Sequence, residues 1–107
     1  MLPNLGGMNP QKMLQKMQDD TLRLQEELDA ERLETSSGGG MVKVTTTGMG
    51  EVLEIKIAPE VVDPNDIEML QDLVVTAVRD ALKKAQDHHS EKMSSIMGGL
   101  KIPGLGF

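Results

Sequence analysis

Gly38-Gly39-Gly40-Met41-Val42-Lys43-Val44-Thr45-Thr46-Thr47-Gly48-Met49-Gly50-Glu51-Val52-Leu53-Glu54-Ile55-Lys56-Ile57-Ala58-Pro59 occupies the middle of a 107-residue chain, and its reading decides the fold. Two alternating runs flank a glycine-bounded turn. Val42, Val44 and Thr46 point one way, with Lys43, Thr45 and Thr47 the other. Leu53, Ile55 and Ile57 likewise oppose Val52, Glu54 and Lys56. Gly48-Met49-Gly50 supplies the backbone freedom of the turn. The result is a β-hairpin, and a hairpin this small does not bury itself, so helices or a second subunit must cover it. Arg32 to Ser36 adds a short edge strand, and exposed edges invite pairing with another chain.

Upstream, Asn9-Pro10 opens a helix, with Asn as N-cap and Pro at the first position, where no N–H is needed. Leu14, Met17, Thr21, Leu24 and Leu28 follow 3-4-3-4 spacing, a seam of about two heptads. That is too short for an autonomous coiled coil, so the seam is expected to pack within the domain. Lys12, Lys16 and Arg23 lie on the opposite side at about 100° per residue. Asp19–Arg23 and Arg23–Glu27 form ordinary i,i+4 pairs. The helix is expected to fray near Glu31 to Leu33.

Downstream, Asp63-Pro64-Asn65-Asp66 starts a second helix, with Asp63 as N-cap and Pro64 at the first position. Its apolar arc runs through Ile67, Leu70, Leu73, Val74, Ala77, Val78, Ala81, Leu82, Ala85 and Ile96. The pattern holds to about Met97, where Gly98-Gly99 ends it. Acidic side chains crowd the start of this helix and Arg79, Lys83 and Lys84 lie further along, an order that suits the helix dipole. The expected organisation is a flexible leader over 1–8, a single α-β-α domain over 9–97 and a Gly/Pro-rich flexible tail over 98–107.

Composition narrows the chemistry. One domain of this size buries roughly 60–70% of the surface its unfolded chain exposes. Phe107 is the only aromatic residue, so the large rings that anchor most small cores are missing, and an oligomer suits the chain better than a compact monomer. There is no cysteine, which removes disulfides, thiolate catalysis and cysteine-ligated metals. The N-terminus lacks a signal-peptide pattern, and nothing approaches the ~20 apolar residues that span a bilayer. A soluble, cytoplasmic protein is the expectation.

No catalytic constellation emerges. His89, Met93 and Met97 fall at i,i+4 steps, a soft donor set for Cu(I). Yet methionines at helical spacing are far more often packing residues, and no metal or cofactor is expected. His88 has no Ser, Cys or metal motif beside it to make a general base useful. Gly38-Gly39-Gly40 leads into a strand rather than a helix N-terminus, so it reads as a hinge and not a phosphate loop.

Several ordered segments resemble the YbaB/EbfC family of nucleoid-associated DNA-binding proteins. They are Asn9-Pro10-Gln11-Lys12-Met13-Leu14-Gln15-Lys16-Met17-Gln18, Gly39-Gly40-Met41-Val42-Lys43-Val44-Thr45, Gly48 and Val52-Leu53-Glu54-Ile55-Lys56-Ile57. Asp66-Ile67-Glu68-Met69-Leu70-Gln71-Asp72-Leu73-Val74 and the run from Ala77 to Ala85 continue the match. The resemblance implies an α+β subunit with a small antiparallel sheet of two to three strands between two long helices. It also implies an elongated, tweezer-like homodimer; that no enzyme is expected rests on the missing nucleophile–base constellation. The implied activity is binding DNA and altering its conformation, in nucleoid organisation, gene regulation or DNA protection.

The net charge of −6 requires the cations of such a protein to be arranged locally. The candidate DNA contacts are Lys12, Lys16 and Arg23 on the first helix and Arg79, Lys83 and Lys84 on the second. As ordinary solvated charges none of them needs a functional explanation. Without Trp or Tyr, base stacking on single strands is disfavoured, and duplex DNA held by its phosphates is the expected partner. The alternative reading is a dimeric interaction scaffold serving DNA-repair or replication machinery.

Overall fold

A computed structural model describes residues 10–98. The elements are α1 (Pro10–Ala30), β1 (Leu33–Ser37), β2 (Val42–Thr46), β3 (Val52–Ile57), a short 3-10 turn (Pro59–Val61) and α2 (Ile67–Gly98). The expected leader, the Asn9 cap, Gly99 and the tail beyond it lie outside the described residues, and α2 includes Gly98. The three strands form one antiparallel sheet in the order β1-β2-β3, so the edge strand expected from Arg32 to Ser36 exists, one residue later. The chain is α+β.

The core is small because its cover is narrow. Strands lie about 4.8 Å apart and a helix is about 10 Å wide, so one helix shields about two strands. α2 takes that place over β1 and β2. Its three small residues Ala77, Ala81 and Ala85 are buried, and Ala77 and Ala81 bring the helix backbone down onto Val42 and Val44. The approach is close enough for two hydroxyls of β1 to reach helix carbonyls one turn apart. Thr35 Oγ1 donates to Ala77 O at 3.1 Å, and Ser37 Oγ donates to Leu73 O at 2.6 Å. Larger residues at these positions would lever the helix away and break both bonds.

β3 is left outside this cover. Ile55 pairs with Val44 and Ile57 with Val42, and antiparallel partners share a face. Both isoleucines thus lie on the helix side of the sheet, yet they are 41% and 40% exposed. The register shifts between Thr45 and Thr46, so Val52 rather than Leu53 comes opposite Thr46. The strict alternation expected from Val52 to Ile57 breaks there.

Three local expectations are corrected by the structure. Thr47 does not share the outer face with Lys43 and Thr45 but is buried, with its Oγ1 accepting from the amides of Met49 and Glu51, so the turn winds around it. Arg23 reaches Asp20 at 3.9 Å instead of Asp19 or Glu27. Asp63 does not cap α2. Its carboxylate accepts from Asn65 N at 2.9 Å in a turn, and the helix begins three residues later, with Asp66 Oδ1 accepting from Met69 N at 3.2 Å. Asp-Pro is an equally good turn opener, and only the second aspartate sits where the N3 amide is orphaned. Asp66→Ala is therefore expected to lower stability by about 1 kcal/mol in urea melts, and Asp63→Ala by less.

α1 joins the rest through its last turns. Leu24 and Leu28 are buried, Gly48 N donates to Leu28 O at 2.8 Å, and the Glu31 carboxylate meets the His88 ring of α2. Arg32 Nη1 closes the end by donating to the carbonyls of Asp29 and Glu31, both at 2.9 Å. From Pro10 to Asp19 every residue is exposed. The seam expected to pack as a unit is thus divided. Leu24 and Leu28 are used within the subunit, whereas Leu14 and Met17 are 62% and 36% exposed.

Candidate nucleic-acid interface

The helix period sets Lys12, Lys16 and Arg23 within about 40° of one another around α1, well away from the side that buries Leu24 and Leu28. All three are exposed. Their electrostatic setting is more favourable than the whole-chain charge suggests. The first acidic residue of the sequence is Asp19, so the outer turns of α1 carry Lys12 and Lys16 with glutamines and no carboxylate. A low-acid helical surface concentrates positive potential.

The second trio separates in the structure. Arg79 and Lys83 are exposed one turn apart on the side of α2 opposite its buried alanines. Lys84 leans the other way, and its Nζ donates to Glu34 O at 3.0 Å on the open edge of β1. It thereby satisfies a strand-edge carbonyl, a structural duty that its spacing in the sequence did not disclose. α1 and α2 touch only briefly, so the two basic surfaces remain on separate helices.

No helix among the described residues is long and apolar enough to cross a membrane. Nor do the described residues contain a group of three or more His, Cys, Asp or Glu able to hold a metal. His88 is engaged with Glu31. His89 is half-buried and lines a shallow hollow with Met49, Gly50, Leu82, Ala85 and Gln86, while the side chain of Met97 lies outside the description.

Residues 4–100 match the YbaB/EbfC DNA-binding family. A nucleoid-associated protein of Pelotomaculum thermopropionicum is 55% identical over 94 residues, covering 88% of this chain and 90% of the relative. One from Syntrophobacter fumaroxidans is 52% identical over 99 residues, with 92% and 90% covered. The crystal structure of an uncharacterized protein from Helicobacter pylori is alike in fold, with a TM-score of 0.75 at 24% identity over 84% of this chain and 98% of that one.

Proposed function

The chain belongs to the YbaB/EbfC DNA-binding family, and on that footing we propose that it binds duplex DNA as a homodimer, through phosphates, and alters the conformation of the DNA. The observation that carries this reading is the exposed stripe of Lys12, Lys16 and Arg23 on an arm whose outer turns contain no acid. Two-fold symmetry presents the stripe twice, which offsets part of the repulsion from a net charge of −6. Its place is the nucleoid, in the cytoplasm, a reading supported by its similarity to nucleoid-associated proteins. Contacts to phosphate position a protein without reading sequence, so little sequence preference is expected.

Support for the dimer comes from apolar surface that one subunit leaves open. Val52, Leu53, Ile55 and Ile57 of β3 are 39–45% exposed. On α1, Leu14, Met17, Thr21 and Leu22 line a hollow with Gln18, to which no other described element contributes. A second copy covering these surfaces leaves the lysines of α1 on the outside.

The test is a duplex titration across ionic strengths with Lys12→Gln and Lys16→Gln combined. Each phosphate contact contributes roughly −0.9 to the slope of log K against log salt, so loss of two flattens it by about 2. The effect should be alike on unrelated sequences, and the fold should survive because both sites are exposed. Undiminished affinity would move the contact to Arg79 and Lys83. Failure of the wild-type protein to bind duplex even at low salt would favour the interaction scaffold instead.

A further inference from the structure

The strand register sets Ser36, Lys43 and Lys56 in one row across β1, β2 and β3. The row lies on the outer face of the sheet, opposite the face that α2 covers, and all three residues are exposed. We propose that this row is a second phosphate-binding surface, on which Lys43 and Lys56 flank a backbone phosphate of duplex DNA. It rests on the duplex-binding reading above and extends it from the helices to the sheet.

The argument starts from a cost. Directly opposite residues of an antiparallel pair hold their Cβ atoms about 4.5–5.5 Å apart, and like charges there destabilise the sheet. Lys43 and Lys56 are such a pair. They are also the only Lys or Arg between residues 33 and 78, a span with eight Asp and Glu. If their purpose were to neutralise carboxylates, dispersal among those acids would serve better than opposition. Lys43 has no ion-pair partner among the described residues. Lys56 Nζ lies 3.5 Å from Glu54 Oε1, but those side chains are 72% and 55% exposed, so the contact is weak and the ammonium is free to turn.

The surroundings suit an anion of this kind. A phosphate between the two ammonium groups converts their repulsion into two attractions, and the Ser36 hydroxyl adds a neutral donor at the end of the row. The carboxylates of Glu34 and Glu54 belong to the next row, Glu34–Thr45–Glu54, on one side only. On the other side the chain reverses through Gly38-Gly39-Gly40. The positions where Cβ atoms of Gly39 and Gly40 would stand meet nothing within 4 Å. Gly39 and Gly40 themselves place no side chain between a broad polyanion and the row on that side.

Duplex affinity should be measured over a range of salt for the wild-type protein, K43Q/K56Q and K43R/K56R, each on two unrelated sequences. The Gln variant is expected to lower the salt slope by about 1.8 for each subunit whose sheet touches the duplex, equally on both sequences. K43R/K56R should keep the wild-type slope, and the melting temperature of K43Q/K56Q should equal or exceed that of the wild type. A wild-type slope in K43Q/K56Q overturns the inference and leaves the α1 stripe standing. A lower melting temperature in that variant also overturns it, because the pair would then be structural. Absence of binding by the wild-type protein overturns the DNA reading itself, a result neither of the others imitates.

Discussion

Sedimentation equilibrium at micromolar concentration is expected to return twice the monomer mass, and a chain carrying Ile55→Glu and Ile57→Glu is expected to return the monomer mass. The two isoleucines overhang the edge of α2, so each subunit leaves an apolar flank on the helix side of β3. Removing that flank from water favours association at about 25 cal/mol per Å² before the costs of ordering. Glutamates at the same positions would be stripped of water without a partner at both copies of the interface, a penalty of several kcal/mol each. The variant subunit should remain folded, because these side chains are already 40–41% exposed within it. A wild-type protein that stays monomeric at high concentration would defeat the dimer. A double variant that still dimerises would shift the interface to Leu14 and Met17 of α1.

The other large effect is expected at Gly48. Its backbone is not in the left-handed region, so torsional strain is not the issue. An added Cβ would stand 2.8 Å from Leu28 O and 3.1 Å from Leu28 Cα, and neither backbone atom can rotate aside. Moving apart also breaks the bond from Gly48 N to Leu28 O. Overpacking and a lost hydrogen bond together should cost roughly 2–4 kcal/mol in Gly48→Val, a fall of about 10–20 °C in melting temperature. Gly50 differs. It has φ near 90°, while its added Cβ would meet Ala85 Cβ at a comfortable 3.8 Å. Gly50→Ala should therefore cost only about 1 kcal/mol, from the backbone alone. Equal or reversed losses for Gly48→Ala and Gly50→Ala would show that the end of α1 does not rest on this turn.

These residues also show what a sequence discloses. Periodicity placed α1, the hairpin and α2, because buried side chains at 3.6- and 2-residue spacing leave a visible pattern. The need for glycine at 48 was legible, but its reason was not: close approach to Leu28 depends on a contact twenty residues away in the chain. The start of α2 was misplaced because Asp63-Pro64 satisfies the same local preferences as a true cap. The stripe of Lys12, Lys16 and Arg23 needed only the helix period, whereas Lys84 required knowledge of which strand edge it would meet. Folding the hairpin symmetrically about Gly48-Met49-Gly50 would set Lys43 opposite Ile55, so the opposition of Lys43 and Lys56 was not legible. The shift at Thr46 lies between the turn and that pair, and nothing in composition announces it.

The outer turns of α1 also govern hydrogen exchange and the enthalpy of binding. Within one subunit, a helix of 21 residues with its first ten exposed draws no stability there from packing. Isolated helices of about that length are marginal in water. In the monomeric variant carrying Ile55→Glu and Ile57→Glu, the amides from Met13 to Asp19 should thus exchange by local fraying, while those of β2, paired on both sides, await global opening. A ligand that settles on the arm must supply the free energy of fixing it. Its measured affinity is then lower than its contacts alone would give, and its enthalpy is the more favourable for the ordering it pays.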